Sequence, residues 1–272
     1  VVDVGGKDRH ALVRAMDAAA ALRDERGLGF VVAPLRTAAG RAVRWFGDRY
    51  AVSVFPFVAG ATGRFGQELT AAERGPLLDA LAAMHRTAPP AGVPVARPGL
   101  SGGDRLAAAL AEVNVPWRGG PFAEPARALL AGYAGAVRRR LAEFGERAAV
   151  LEGRAAVVTH GEPHPGNVLW AGGRCLLVDW DTVGLAVPER DLWLVARDAA
   201  DLARYAEACG HRPDGAALAF YRLRWDLEDV AELVGWFRSP HGRSPDTEQA
   251  WAGLTDTLER LAGGGAAPPP GW

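Results

Sequence analysis

Hydrophobic residues follow two different spacings along the chain, and the change falls near residue 60. Between residues 8 and 26, apolar side chains recur every third or fourth position, which predicts an amphipathic helix that ends at Gly27. The other early segments are rich in β-branched and aromatic residues and are bounded by Gly or Pro. They predict short strands at 1–4, 30–33, 41–46 and 50–55, the last two joined as a hairpin across Gly47-Asp48.

Beyond residue 60 the helical spacing dominates. Thr70 and Glu73 form a capping-box pattern at the start of the first of these helices. A buried strand at 155–159 and a tight hairpin, 168–170 with 174–178, interrupt the helices. The predicted helices are 70–85, 101–113, 122–147, 189–208, 215–238 and 245–262.

This order predicts an α+β fold with two lobes. Residues 1–60 would form a β-containing N-terminal lobe that ends in a hinge, and 61–262 a mainly helical C-terminal lobe. A cleft between two such lobes is a natural place for a ligand. The tail 263–272 is rich in Gly, Ala and Pro, and we expect it to be disordered.

Composition narrows the possible partners. The chain has 272 residues, 49% hydrophobic and 23% charged, with a net charge of −1, so we expect no bulk attraction to nucleic acid or to an anionic membrane. No long apolar segment or basic leader is evident, and a cytoplasmic location is the default expectation. Two cysteines provide no disulfide framework.

Polar side chains concentrate between Val157 and Thr182. Glu162 is followed five residues later by Asn167, and Asp179 comes one hairpin after that. Phosphoryl transfer needs such a set: an acid that orients the acceptor hydroxyl and receives its proton, and a carboxylate and an amide that hold Mg²⁺. Asp181 would bind a second Mg²⁺ or cap the next turn, and both alternatives stay open.

This stretch resembles the aminoglycoside phosphotransferase family, most of all its spectinomycin-phosphotransferase-like members. The loop His160-Gly161-Glu162-Pro163-His164-Pro165-Gly166-Asn167 is similar to the family pattern H-G-D-x-H-x-x-N, and Asp179-Trp180 to its D-W/F. The helix Leu81–His85 and the segment Pro188–Trp193 also resemble family elements. The resemblance implies a protein-kinase-like fold, ATP and Mg²⁺ as cofactors, and an Asp191 that braces the catalytic loop.

The resemblance also assigns the remaining nucleotide and loop residues. Asn167, Asp179 and Asp181 would be the metal ligands, and Phe57 and Val58, at the hinge, would lie against adenine. His160 would hold the loop by hydrogen bonds, and His164 would do the same or face the substrate.

Two departures from the family pattern support an alternative function. Glu162 stands where the family has Asp, and its longer side chain moves the carboxylate. No glycine-rich phosphate loop precedes Val1, so the N-terminal lobe is expected to be truncated. Asp3 stands where the strand lysine belongs, which leaves Lys7 as the candidate phosphate contact. A catalytically degenerate, kinase-like binding or regulatory protein therefore stands beside an ATP-dependent kinase of small hydroxylated molecules.

The substrate prediction rests on one helix face. Trp225, Asp226 and Asp229 lie apart from the apolar stripe of helix 215–238, and an acidic and aromatic face suits a cationic, aminoglycoside- or aminocyclitol-like acceptor. A simply solvated helix face is the alternative. A third interpretation, zinc held by His160, Glu162 and His164, conflicts with the prolines in the loop, which prevent the helix that such sites use.

Overall fold

The computed structural model describes residues 2–3, 9–64 and 66–263, with side chains from residue 9 onward. The predictions for Lys7 and for the tail 264–272 lie outside the described residues. In the described part of the chain, no helix is both long and apolar enough to cross a bilayer.

The N-terminal elements are a small antiparallel sheet and a helix. Strands β1 (Val2–Asp3), β2 (Arg44–Phe46) and β3 (Tyr50–Val52) pair in the order β1-β3-β2, and β2 and β3 form the predicted hairpin. Helix α1 (Arg9–Asp24) buries a stripe of alanines with Met16 and Leu22. The predicted strand at 30–33 is reduced to a single bridge between Val31 and Leu177.

Strand β4 (Ala61–Thr62), which has no clear sequence signal, precedes helix α2 (Ala71–Arg86). The predicted capping box is present. The Thr70 hydroxyl accepts the Glu73 amide at 3.3 Å, and the Glu73 carboxylate accepts the Thr70 amide at 2.8 Å. Both hydrogen bonds satisfy amides that would otherwise lack a partner at a helix start.

The predicted catalytic segment folds as strand, loop and hairpin. Strand β5 (Val157–Thr159) leads into the loop, which ends in a 3₁₀ turn (Pro165–Asn167). Strands β6 (Val168–Ala171) and β7 (Arg174–Leu177) form the hairpin, and β8 (Gly184–Ala186) pairs with β5. Strand β4 joins the hairpin at β6, in the order β4-β6-β7.

The single helix predicted at 189–208 is wrong. Two helices, α5 (Glu189–Val195) and α6 (Ala199–Cys209), are separated at residues 196–198. The Asp198 carboxylate accepts the amides of Ala200 and Asp201, so it starts a new helix instead of continuing the old one.

The remaining helices match their predicted positions. They are α3 (Gly103–Ala111), α4 (Ala123–Leu151), α7 (Gly215–Arg238) and α8 (Pro245–Gly263). Phe144 of α4 stacks on Phe220 of α7 with ring centroids 5.0 Å apart. The α+β class predicted from the spacing is confirmed.

The described residues group into two compact units. Among the described residues, the first unit contains those up to 97 together with 153–218, and the second contains 98–152 together with 219–263. The first unit has its own hydrophobic core, which includes Leu22, Leu77, Leu81, Leu177 and Trp180. The predicted lobes, 1–60 and 61–262, are divided at a hinge, whereas these units are divided by internal contacts. The division into lobes therefore stays a prediction.

Candidate active site

A buried carboxylate fixes the start of the loop. Asp191, fully buried at the start of α5, accepts the backbone amide of His160 at 2.8 Å and that of Gly161 at 2.6 Å. Burial alone raises the pKa of Asp191. The hydrogen bond and charge of His85 and the charges of Arg190 and His160 outweigh burial, so the pKa lies below its ordinary value. Asp191 therefore remains ionised and holds the loop backbone.

Glycine is required at position 161. Gly161 has a φ of +101°, which L side chains rarely adopt, and the guanidinium of Arg190 lies directly beside it. That guanidinium is fixed, because it donates to the Thr159 hydroxyl at 2.8 Å and to the Thr182 carbonyl at 2.9 Å. The turn that carries Glu162 thus depends on an arginine that the sequence alone does not single out.

His160 is committed to the loop through both ring nitrogens. Its Nδ1 accepts the Glu162 amide at 3.3 Å, so its Nε2 carries the proton and donates to the Val178 carbonyl at 2.9 Å. Burial is the largest effect on this ring, and it lowers the pKa of His160. No group of three or more His, Cys, Asp or Glu residues within the described ranges could hold a metal ion. The zinc interpretation is therefore wrong.

Hydrogen bonds bring Glu162, Asn167 and Asp179 into one neighbourhood. The Asn167 side-chain amide donates to the Glu162 carbonyl at 3.0 Å, and the Val178 amide donates to the Asn167 carbonyl at 3.0 Å. Asp179, the next residue, has an exposed side chain and a φ of +64°. A non-glycine residue in this region is strained, and such strain is concentrated at functional sites.

The donor set fits a magnesium ion that is shared with a bound phosphate. The Asn167 nitrogen is already used, so its oxygen is the atom available to a cation, and the Asp179 carboxylate is exposed. Mg²⁺ is commonly held by one or two protein oxygens, with waters and substrate phosphates as the other ligands. Asp181, also exposed, lies two residues farther along.

His164 lies half-buried before the 3₁₀ turn, and its carbonyl accepts the Asn167 amide at 2.8 Å. Burial, followed by the charge of His160, lowers the pKa of His164 to about 4. Its ring is therefore neutral at physiological pH. A neutral imidazole offers a substrate hydrogen bonding without charge.

The segment that follows the predicted hinge packs on the loop. Phe57 is 94% exposed and Val58 is half-buried, and both precede β4. Gly63 donates its amide to the Pro165 carbonyl at 3.1 Å, and a Cβ at position 63 would lie only 2.7 Å from the Pro165 Cβ. Gly63, just beyond the predicted hinge, thus contacts the turn that carries Asn167 directly through its backbone.

The predicted substrate face has internal partners within the second unit. Asp226 forms an ion pair with Arg260 at 3.0 Å, and Asp229 accepts the Thr257 hydroxyl at 3.0 Å. Both acids are half-buried together with Trp225. They form part of the packing of α7 on α8, so the solvated-face alternative is wrong for these two acids. Their role towards a substrate stays a prediction.

The sequence indicated the helix that ends at His85 but not the contacts of the residues behind Asp191. His85, on α2, lies 3.0 Å from the Asp191 carboxylate through Nε2 and 2.7 Å from the Tyr205 hydroxyl through Nδ1. All three side chains are buried. A histidine at the end of an apolar helix stripe was the available signal for His85. Nothing in the local sequence points to Tyr205 or Arg190.

The α+β fold sets the loop of Glu162 and Asn167 and the following Asp179 around one hairpin, as expected of a kinase-like phosphotransferase. Residues 6–233 match the model of the phosphotransferase enzyme family. Protein StrN of Streptomyces griseus is 34% identical over 256 residues, which cover 89% of this chain and 76% of that protein. The chain belongs to the phosphotransferase enzyme family, so the resemblance seen in the sequence is confirmed.

Solved structures support the same fold. A spectinomycin phosphotransferase in complex with ADP and spectinomycin has a TM-score of 0.72 at 17% identity, over 91% of this chain and 81% of that one. An amicoumacin kinase in complex with AMP-PNP and Ca²⁺ has a TM-score of 0.60 at 14% identity, over 97% and 80%. At these identities the likeness concerns the fold alone. The predicted protein-kinase-like fold is confirmed.

Proposed function

We propose that this chain is an ATP-dependent kinase that transfers the γ-phosphoryl group to a hydroxyl of a small molecule. The observation that carries the proposal is the neighbourhood of Glu162, Asn167 and Asp179, whose backbone is fixed by hydrogen bonds from both sides of the loop. Membership of the phosphotransferase family supports the reaction class. The ADP-bound structural neighbour supports a nucleotide as the donor.

Each loop residue has a distinct task in this reaction. Glu162 orients the acceptor hydroxyl and receives its proton as the acceptor oxygen bonds to the γ-phosphorus. The bond from that phosphorus to the bridging oxygen breaks, and ADP leaves. His160 and Asp191 hold the loop in place while charge moves, so catalysis depends on positioning and on fixed electrostatics.

Asn167 and Asp179, with Asp181 as a further candidate, would hold Mg²⁺, which neutralises phosphate charge when it is bound. Phe57 and Val58 would bind the adenine, with the backbone of the hinge as hydrogen-bonding partner. In kinases, a strand lysine and a phosphate-covering loop hold the nucleotide phosphates. Lys7, the candidate phosphate contact proposed for this chain, lies outside the described residues. The proposed compartment remains the cytoplasm.

The acceptor we propose is a small hydroxylated cation of the aminocyclitol or aminoglycoside class. The neighbour that was solved with spectinomycin supports this choice. His164, two residues after Glu162 in the loop, would contact the acceptor. Trp225, Asp226 and Asp229 remain the proposed acceptor contacts on α7, although Asp226 is paired with Arg260 and Asp229 accepts from Thr257.

The test is ADP release from ATP and Mg²⁺ by the full-length gene product, with spectinomycin and choline as acceptors. We expect ADP release that depends on the acceptor. Asp179→Ala should lower kcat on the order of a thousandfold, because the Mg²⁺ that would neutralise the charge of the transferred phosphoryl group loses a ligand. Asp256→Ala, which removes an exposed acid on α8, is the matched control and should keep its activity.

The alternative function has its own signature in the same experiment. A degenerate kinase-like protein would bind nucleotide without acceptor-dependent ADP release, and Glu162→Asp would then restore turnover. Failure to bind any nucleotide, with or without Mg²⁺, would overturn both functions.

A further inference from the structure

The first unit contains a cavity of about 610 Å³ that none of the predicted catalytic or metal-binding residues line. It lies among the end of α2, the start of β5, the segment between β8 and α5, and the end of α6. Glu162, Asn167 and Asp179 are absent from its walls. A concave space of this size is typical of a small-molecule site.

The walls of the cavity combine an apolar side with a charged side. Ala155, Val157, Val187 and Pro188 contribute the apolar side. An apolar wall next to a few polar groups suits a ligand with an apolar body and one polar end.

The acids of the cavity are already paired. Asp214 forms an ion pair with Arg154 at 2.6 Å, and Glu189 accepts from His211 at 3.0 Å and from the Asp214 amide at 2.8 Å. Glu189 is almost fully buried, with 2% of its side chain exposed. Neither acid is therefore presented to a cationic ligand.

Two arginines of the cavity retain uncompensated charge. Within the described ranges, Arg86 and Arg212 line the cavity without a carboxylate partner in ion-pair contact. The Arg86 guanidinium donates to the Ala208 carbonyl, which holds it at the rim. Guanidinium groups match the geometry of carboxylate and phosphate oxygens.

We propose that this cavity is a second ligand site, which binds a small organic anion with its apolar body against Val157 and Pro188 and its charged end at Arg86 and Arg212. The site is separate from the catalytic loop in its ligand chemistry, because it offers positive charge and apolar surface where the loop offers carboxylates.

The occupant of this site would act on the catalytic loop. Tyr205 and His85 line the cavity, and His85 contacts Asp191, which holds the amides of His160 and Gly161. A ligand that contacts Tyr205 or His85 would stabilise the hydrogen bonds that join them to Asp191 and, through Asp191, to the loop backbone. Occupancy of the site would thus affect the loop through this chain of hydrogen bonds.

The probe for binding is benzoate, compared with benzamide, its uncharged analogue, by calorimetry on the full chain. We expect saturable benzoate binding and binding of benzamide that is about tenfold weaker, because benzamide lacks the charge-assisted hydrogen bond. Arg212→Ala should weaken the binding of benzoate by about the same factor. Arg139→Ala, an exposed arginine on α4, is the matched control and should leave the affinity unchanged.

Ala155→Trp is a second variant, because position 155 is exposed and tolerates a larger side chain while the indole fills the cavity. It should abolish benzoate binding without lowering the melting temperature. No saturable benzoate binding, or binding that survives both Arg212→Ala and Ala155→Trp, would overturn the site. These measurements need no turnover, so they stand or fall independently of the proposed kinase activity.

Hydrogen exchange tests the link to the loop. Saturating benzoate should slow exchange of the His160 and Gly161 amides, and Ala155→Trp should remove that effect. Unchanged exchange at these two amides, with benzoate bound, would overturn the regulatory part of the proposal.

Discussion

Gly161 shows how one residue limits the whole site. Its φ of +101° and the guanidinium of Arg190 beside it exclude a side chain, and Arg190 cannot withdraw without breaking its hydrogen bonds to Thr159 and Thr182. The loop therefore depends on the absence of a Cβ at Gly161 as much as on the carboxylate of Glu162.

We predict that Gly161→Ala destabilises the fold by about 2–4 kcal/mol, because the new Cβ is strained and would lie 2.7 Å from the Arg190 Cζ. Urea unfolding measures this change. Gly172→Ala is the control, because Gly172 has a φ of +55° but open space around it. This variant should lose only the part of the stability that is due to backbone strain. Equal losses in the two variants would contradict the role of Arg190.

Asp229 is the residue for which pH dependence can be derived. Burial is the largest effect, and it raises the pKa of Asp229 from 3.8 to about 6, against the hydrogen bond from Thr257 and the charge of Arg260, while Asp226 and Glu232 raise it further. A folded-state pKa above the unfolded one favours the protonated form. The stability that this group contributes is complete below about pH 4 and is lost as the pH rises through about 6.

Asp229→Asn should therefore be more stable than the parent at pH 8, by on the order of 2 kcal/mol, and nearly equal to it at pH 4. The Asn oxygen still accepts the Thr257 hydroxyl, so the difference isolates the charge. Denaturation midpoints at the two pH values provide the measurement. Glu259→Gln, an exposed acid on α8, should show no such crossover. A constant difference between the pH values would refute the assignment.

At the scale of elements, the close approach of β4 to the 3₁₀ turn matters most. Gly60 and Gly63 leave no room for side chains, since a Cβ at 60 would lie 2.5 Å from the Trp170 carbonyl and one at 63 would lie 2.7 Å from the Pro165 Cβ. Strand β4, which follows the predicted hinge and has little sequence signal, is therefore packed tightly against both β6 and the turn that carries Asn167.

Gly63→Ala should weaken Mg²⁺-dependent nucleotide binding by about tenfold, because the added methyl group displaces the turn that carries Asn167 and small misplacements are costly. In EDTA, the variant and the parent should bind the nucleotide with similar affinity. Titration of ADP with and without Mg²⁺ measures both. Gly132→Ala, a helical glycine on α4 with open space around it, is the matched control and should be neutral or slightly stabilising. Equal loss with and without Mg²⁺ would count against the metal site.

Charge at the scale of the whole molecule does little to attract a nucleotide. The net charge is −1, so ADP gains no general attraction and its binding must come from local groups and Mg²⁺. The first unit has a core of its own that includes Val158, Val168 and Trp180 on either side of the loop, so ligand binding at the loop should be reported by the stability of that unit.

ADP at a hundred times its dissociation constant should stabilise the full chain by about 2.7 kcal/mol, which corresponds to a rise of a few degrees in Tm. Removing Mg²⁺ with EDTA should abolish most of this rise, and Asp179→Ala should do the same in the presence of Mg²⁺. A rise that is independent of both would exclude Asp179 as a metal ligand. Differential scanning calorimetry provides the measurement.

The sequence by itself determined the order and class of the elements, because helical and strand spacings are local and the Thr70–Glu73 capping box spans a single turn. It also predicted which loop residues would carry the chemistry, since Glu162, Asn167 and Asp179 lie within one strand, loop and hairpin, and their roles stay a prediction. The prediction of one continuous helix was wrong at residues 196–198, because the capping hydrogen bonds of Asp198 outweigh the continuous helical pattern.

Only the tertiary structure decided which side chains support that loop. His85 contacts Asp191 across 106 residues of sequence and Tyr205 across 120, and no local spacing encodes such pairs. The same holds for the cavity beside them, whose walls come from four separate parts of the chain. Buried polar atoms need hydrogen-bond partners, and in the folded protein these partners come from residues that are distant in sequence. Packing therefore brings these groups together.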